Sequence, residues 1–327
     1  MPRQARLDAP GTLHHVIIRG IEKRRIFDDD EDKQGFLSRL DGLVTETGTR
    51  IYAWSLLTNH AHLLLRTSSY GLPRFMRRLL TGYAVTYNLR HHRHGHLFQN
   101  RYNSIVCDED VYFRELVRYI HLNPLRAGSV KTISALDRYP WCGHGVLMGQ
   151  TEWSFQDRDY VLSRFGKREG EARKAYRRYV EEGISQGRRP ELVGGGLIRS
   201  SGGWSAVLSM RRAGEEALTD QRVLGRNDFV ERVLKESERQ DRSALSPIDL
   251  KREMRIVIER KCKQEGVNVK ELQMGSRRGR LPRVRSEIAA EFVKKHGVTR
   301  ANLARELGVS TSAISKILRR AEKASCK

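Results

Sequence analysis

Cysteine is scarce in this chain, and its four copies are scattered. Cys107, Cys142, Cys262 and Cys326 form no Cys-x-x-Cys pair, which argues against a zinc ribbon or a thioredoxin-type redox motif. Free thiols spaced this way suit a reducing, intracellular setting. Long hydrophobic runs are lacking too. No stretch approaches the ~20 apolar residues that span a bilayer, and no apolar core of a signal peptide follows the basic start Met1-Pro2-Arg3-Gln4-Ala5-Arg6. The expected location is the cytoplasm, in association with the nucleoid and away from any membrane. Acidic side chains are in deficit: 39 Asp and Glu face 61 Lys and Arg among 327 residues, a net charge of +22. That balance fits a small-molecule enzyme poorly and a polyanionic partner well. The glycines at 194–196 and 202–203 are not followed by Gly-Lys-Ser/Thr, so they read as a loop or linker and not as a phosphate cradle. There is no internal repeat and no low-complexity tract.

What is present begins with strands. Leu13–Arg19, Ile51–Leu57, Ala61–Thr67 and Tyr102–Val106 are rich in apolar and β-branched residues. The acidic cluster Asp28–Asp32 suits the start of a helix that continues over Gly35–Val44. Pro73 opens a long basic helix over Arg74–Arg90, and Asp108-Glu109-Asp110 opens another that stops at Asn123-Pro124. The order β-α-β-β-α-β with a trailing helix predicts an α+β chain: a ferredoxin-like split βαβ domain over 1–145. A helical region with a glycine-rich break is expected over 146–245, with helices at Ala172–Glu182, Trp204–Arg212 and Asn227–Glu238. The polar stretch Glu236–Ser246 reads as a linker. Residues 246–327 form an all-α module ending in a helix-turn-helix.

Two motifs carry chemistry. Trp54 to Arg66 holds His60 and His62 one residue apart between apolar flanks. In a strand, residues two apart share a face, so both imidazoles aim the same way and can offer adjacent ligands to a divalent metal. The alternative is a packed or solvated histidine pair. In the helix before Pro124, Phe113, Leu116, Val117 and Ile120 form the core stripe, and Glu115, Tyr119 and Asn123 lie four apart on a neighbouring face. Tyr119 is a candidate nucleophile and Asn123 a candidate metal ligand. Arg74, Arg77, Arg78 and Arg90, with the segment His91-His92-Arg93-His94, are expected to meet the backbone of a folded single strand. The histidines at 91, 92, 94 and 96 read as a solvated basic loop or, alternatively, a second metal site. Tyr83 and Tyr87 are either base-stacking platforms or core.

Asn59-His60-Ala61-His62, then Gly95-His96-Leu97-Phe98-Gln99-Asn100-Arg101-Tyr102, then Arg118-Tyr119-Ile120-His121-Leu122-Asn123-Pro124-Leu125-Arg126-Ala127-Gly128 resemble the single-tyrosine HUH transposases, and most of all their REP-associated tyrosine transposase branch. The resemblance covers about residues 8–145. It implies that His60, His62 and Asn123 hold Mg²⁺ or Mn²⁺ and that Tyr119 attacks single-stranded or hairpin DNA. The product would be a 5′-phosphotyrosine intermediate. A competing reading is a DNA-binding regulator that keeps the fold without the chemistry.

Residues 273–327 hold 14 Lys and Arg against 4 Asp and Glu, a net of +10. Leu303, Ala304, Leu307, Val309, Ile314 and Leu318 are spaced to pack two helices across Gly308-Val309-Ser310. Glu271-Leu272, Ser276-Arg277-Arg278 and Arg283-Val284-Arg285, with the helices that follow, resemble the DNA-binding domain of the bacterial replication initiator. The match departs from it over 310–315. Duplex DNA is the implied partner. Ser310, Thr311, Ser312 and Ser315 stand where base edges are read, and Arg277, Arg278, Lys316, Arg319 and Arg320 where phosphates lie. Monomer and homodimer are both left open.

Overall fold

The computed structural model describes residues 7, 11–187, 189, 192, 222–243, 247–296 and 300–325. The expected helix at 204–212 and the glycine clusters at 194–196 and 202–203 lie outside them. The chain divides into two compact units, 1–237 and 238–327.

The first unit is built on a sheet of β1 (Leu13–Arg19), β2 (Arg50–Leu57), β3 (His60–Arg66), β4 (Asn103–Cys107) and β5 (Val223–Leu224), in the order β2-β3-β1-β4-β5. β1 pairs antiparallel with both β3 and β4, and β2 with β3. The first four strands therefore have the order of the split βαβ layer, as the sequence predicts. β5 was not expected. It adds in parallel to β4, and Val223 packs with Val106 and with Val230 and Val233 of a later helix.

Each face of the sheet has its own core. Val16, Ile18, Trp54, Leu56, Ala61, Leu63 and Leu65 point to α1 (Asp30–Thr47) and α2 (Leu72–Arg90). The helix start expected at Asp28–Asp32 is present: Asp29 caps α1 by accepting from the Asp32 amide, and acidic residues fill its first turn. The opposite residues, Leu13, Tyr52, Ala53, Leu64 and Ile105, pack on α3 (Glu109–His121). Further helices reach that cluster, with Val161 and Leu162 from α7 (Arg158–Ser163) and Ala172, Tyr176 and Val180 from α8 (Glu169–Glu182). Between them lie α4 (Asn123–Arg126), α5 (Ile133–Asp137) and α6 (Gly143–Met148).

One expectation fails at the end of this unit. The polar stretch from Glu236 is not a linker at its start, because α9 (Asn227–Ser243) runs through it. Phe229, Val230 and Val233 anchor the helix by burial, and Lys, Glu, Arg and Gln propagate it well.

The second unit holds α10 (Pro247–Glu265), α11 (Val269–Gln273), α12 (Leu281–His296), α13 (Arg300–Glu306) and α14 (Thr311–Ser325) around one core that includes Ile258, Leu272, Ile288, Phe292, Leu303, Leu307 and Ile314. Gly308, at φ +63°, opens the turn between α13 and α14, and a Cβ there would collide with the Gln273 carbonyl. Only glycine fits. Arg285 of the basic run turns inward: it is buried and donates to the carbonyls of Leu307, Ser276 and Leu272. Among the described residues, no helix is long and apolar enough to cross a membrane.

Candidate active site

His60 and His62 lie on β3, inside the sheet, with side chains on the face that α3 covers. Register decides this: His62 stands opposite Ile17 of β1 and Ser55 of β2, and His60 opposite Arg19 and Leu57. Their ring centroids are 5.2 Å apart. The half-buried Tyr119 comes from α3 to meet them, its ring centroid 6.0 Å from that of His62 and 6.0 Å from that of His15. α3 ends at His121, Leu122 keeps helical angles, and Asn123 opens α4 with Pro124 in its first turn. Proline is tolerated there because that turn lacks intrahelical N–H partners. Asn123 thus follows Tyr119 by about one turn and is buried.

Two hydrogen-bond relays set the tautomers of the pair. The Leu192 carbonyl can only accept, so His15 Nδ1–H donates to it at 3.0 Å. His15 Nε2 then accepts from His62 Nδ1–H at 2.9 Å. On the other histidine, Asn59 Nδ2 donates to the Lys23 carbonyl at 3.1 Å, which fixes its amide, and Asn59 Oδ1 accepts from His60 Nδ1–H at 2.7 Å. Lys23 and Glu22 both have positive φ, 61° and 52°, an uncommon backbone for non-glycine residues. Each relay leaves the Nε2 lone pair of its histidine bare. Burial lowers the His60 imidazole to about 4, aided by the charge of Arg19, and holds His62 well below the ordinary 6.5. Both rings are neutral at pH 7, the state a metal requires.

A divalent ion therefore fits the donor set. Neutral imidazoles whose second ring nitrogen is tied to an acceptor are the common arrangement around protein-bound metals. Asn123 Nδ2 is buried without a hydrogen-bond partner. Turning the amide over moves no heavy atom and places Oδ1 at that position, where a cation would satisfy it.

Sequence reasoning missed two residues. His15 is 47 positions from His62, and only strand pairing brings them together; its own sequence signal was a histidine in an apolar strand. Arg126 stacks over the Tyr119 ring, with its guanidinium carbon 5.3 Å from the centroid. Its Nε and Nη1 are buried without partners, and burial lowers its pKa while the tyrosine opposes that shift. Positive charge held this close favours negative charge on the phenol oxygen.

The other expected residues lie elsewhere. Glu115 pairs with Arg189 at 3.1 Å. On α2, Arg78 is held by Glu46 and by the Tyr70 hydroxyl, and Arg74 stacks on Tyr70. Arg90 is enclosed by Asp29, Glu31 and Asp32, while Arg77 is exposed. Tyr83 and Tyr87 are core: the Tyr83 hydroxyl donates to the Ile26 carbonyl at 2.6 Å, and Tyr87 meets Asp28. His91 bonds Asp32, whereas His92, His94 and His96 are exposed. Asp28, Asp32 and His91 bring possible metal-ligand atoms together. Arg90 and the Tyr87 hydroxyl already donate to those carboxylates, so no cation is needed there. In the second unit, Arg277, Arg278, Lys316 and Arg320 are exposed, as are Thr311 and Ser312. Ser310 caps α14 through the Ala313 amide at 3.2 Å, and Ser315 Oγ donates to the Thr311 carbonyl at 3.0 Å. Of Arg319 the structure describes only the backbone, within α14.

A strand pair of neutral imidazoles thus faces a helical tyrosine on one side of the sheet. Residues 11–123 match the family described as Transposase IS200 like. The match spans 113 of the 327 residues. Among solved structures, a REP-associated tyrosine transposase bound to a REP hairpin is similar at 16% identity and TM-score 0.37, covering 48% of this chain and 98% of that one. A protein of Deinococcus radiodurans R1 described as a transposase is similar at 19% identity and TM-score 0.27, covering 36% of this chain and 93% of that one. Comparison with curated proteins gives no match.

Proposed function

We propose that the first unit is a metal-dependent DNA strand transferase that cuts single-stranded or hairpin DNA through a 5′-phosphotyrosine at Tyr119. The observation that carries this reading is the pair of relays, which leaves two bare Nε2 atoms on the strand face that Tyr119 shares. Tyr119 Oη forms the new bond to phosphorus, and the bond from phosphorus to the 3′ oxygen breaks. The 3′ oxygen leaves as a hydroxyl and takes up the proton lost by the phenol. The covalent ester conserves the bond energy, so rejoining to a second strand needs no nucleotide cofactor. Mg²⁺ or Mn²⁺ held by His60, His62 and Asn123 would neutralise charge on the phosphate oxygens. Arg126 offsets the charge gathering on the phenol oxygen. The test is incubation of the full chain with a hairpin oligonucleotide and Mn²⁺, followed by a denaturing gel. A protein–DNA adduct that maps to Tyr119 supports the reading. Binding without any adduct under all metal conditions would mean a regulator that keeps only the fold.

The relay makes a separate expectation. His15→Phe removes the acceptor that orients His62, so metal affinity should fall about 10- to 100-fold, while hairpin binding without metal stays unchanged. Calorimetric titration with Mn²⁺ measures it; unaltered affinity would remove His15 from the site.

In the second unit, the exposed Lys316 and Arg320 on α14, with Arg319, are proposed to contact the phosphates of duplex DNA, and Thr311 and Ser312 its base edges. Replacing Lys316, Arg319 and Arg320 by Ala should lower the slope of log affinity against log salt by up to about 3. Adduct formation on the hairpin should not change. An unchanged slope would make this charge a solvated face only.

A further inference from the structure

We propose that the cavity between α2 and residues 95–102 takes one unstacked nucleobase of the DNA strand, with flanking phosphates at Arg77 and Arg101. The proposal rests on the reading of the first unit as an enzyme of single-stranded DNA, and it adds how the strand is gripped. The cavity measures about 470 Å³, within the roughly 300–1,000 Å³ typical of small-ligand sites. Met76, Leu80 and Ala84, spaced four apart on α2, line one wall, and Leu97 and Phe98 line the wall from the other segment. Every base has a π-face that such walls accept whatever the sequence.

The rim has the opposite character. Arg77 and Arg101 are exposed and line the opening. Neither forms an ion pair with a described residue, whereas Arg78 and Arg90 on the same helix are matched by carboxylates. Two uncommitted guanidiniums beside an apolar slot suit a ligand with a flat apolar body and anionic links on either side. Val85, on the lining, is 55% exposed, which leaves apolar surface in water where a base could cover it. Asn88 Nδ2 donates to the Gly95 carbonyl at 3.0 Å, which orients the amide. Its Oδ1 has no partner, so the only buried unsatisfied group of this side chain is an acceptor suited to a base N–H. Gly95 and Asn100, at φ +90° and +63°, fold the segment back along the helix. Of the two readings of Tyr83 and Tyr87, stacking platform or core, the structure has the second, since both are buried, and this slot supplies a base platform that they do not.

The test uses the full chain carrying Tyr119→Phe, without metal, so that no cleavage is required. Affinity is measured for a mixed-sequence single strand and for a fully abasic strand of equal length. Stacking of one base contributes about 1–3 kcal/mol, so the parent should prefer the natural strand by roughly 5- to 150-fold. Ala84→Trp fills the slot and should bring that ratio close to 1 while leaving affinity for the abasic strand unchanged. Thr81→Trp, at an exposed lining position, does the same from the mouth should Ala84→Trp fail to fold. Arg77→Gln with Arg101→Gln should weaken both strands alike. A preference that survives in the folded slot-filling variant overturns the proposal, as does a parent with no preference. Loss of the adduct in the unmodified protein would instead overturn only the enzymatic reading.

Discussion

Tyr119→Phe is expected to eliminate the covalent adduct while leaving fold and DNA affinity intact. The change removes one oxygen and almost no volume. The edge contacts with His15 and His62 and the stack under Arg126 are made by the ring and survive. If the phenol oxygen is the nucleophile, nothing replaces it, and residual cleavage should fall by at least about 10⁴-fold, the scale seen when a reacting group is removed. Denaturing electrophoresis with peptide mapping reads the adduct, and thermal unfolding reads the fold. An adduct that persists and maps to Tyr112, about two helical turns before Tyr119 on α3, would reassign the nucleophile. Asn123→Ala should act differently, raising the metal concentration needed while keeping the adduct on Tyr119.

The second large effect is expected at the histidine pair. His60→Ala should abolish metal-stimulated adduct formation, a loss of at least about 10²-fold, because the ion loses a strand ligand that no neighbour replaces. It is the cleaner variant of the two, since His60 is half-exposed and its relay partner Asn59 can turn to water. His62→Ala carries the same loss but also strips His15 of its partner inside the sheet, which costs about 1–3 kcal/mol of stability. Affinity for the hairpin without metal should stay near that of the parent, since phosphate contacts supply most of it. Full activity in either variant would place the metal elsewhere.

The acid side of the proposed metal dependence follows from the same burial. Protons and metal compete for Nε2. An ordinary imidazole loses that competition below 6.5, whereas His60 takes up a proton only near 4 and burial holds His62 well below 6.5. Metal-stimulated activity should therefore persist well below pH 6.5. Stability runs the other way. His14, lowered to about 3 by burial, His60, His62 and His121 all stay neutral in the fold. The unfolded chain protonates them below 6.5, so the stability present above 6.5 is lost as pH falls toward the folded values. Each group contributes a slope of up to about 1.4 kcal/mol per pH unit in that window. Thermal unfolding between pH 7 and pH 5 without metal should show the decline, and a flat profile would mean that these rings protonate in the fold.

Local patterns carried much of this protein in one dimension. His60 and His62 share a face because strands repeat every two residues, and the four-residue spacing of Tyr119 and Asn123 puts them about a helical turn apart. The strands and helices of the split βαβ layer, the acidic start of α1 and the buried stripe Phe113, Leu116, Val117 and Ile120 follow from the same short-range periodicity and capping. The paired histidines were legible for that reason. Their tautomers were not, because the relay through His15 exists only when β1 takes the register that sets Ile17 against His62. β5 escaped for a similar cause: two residues joining a strand more than 100 positions earlier leave no periodic trace. Charge was the least legible property. A row of arginines on α2 looks uniform in sequence, yet Arg78 and Arg90 are taken up by carboxylates of α1 or its N-terminal cap while Arg77 is left at an apolar slot. Arg285, in a run of exposed bases, turns inward onto three carbonyls. Secondary structure is set by neighbours a few residues away, so sequence determines it. Which charge is satisfied, and which ring nitrogen stays bare, depends on partners brought close only by the packing of helices and the register of strands.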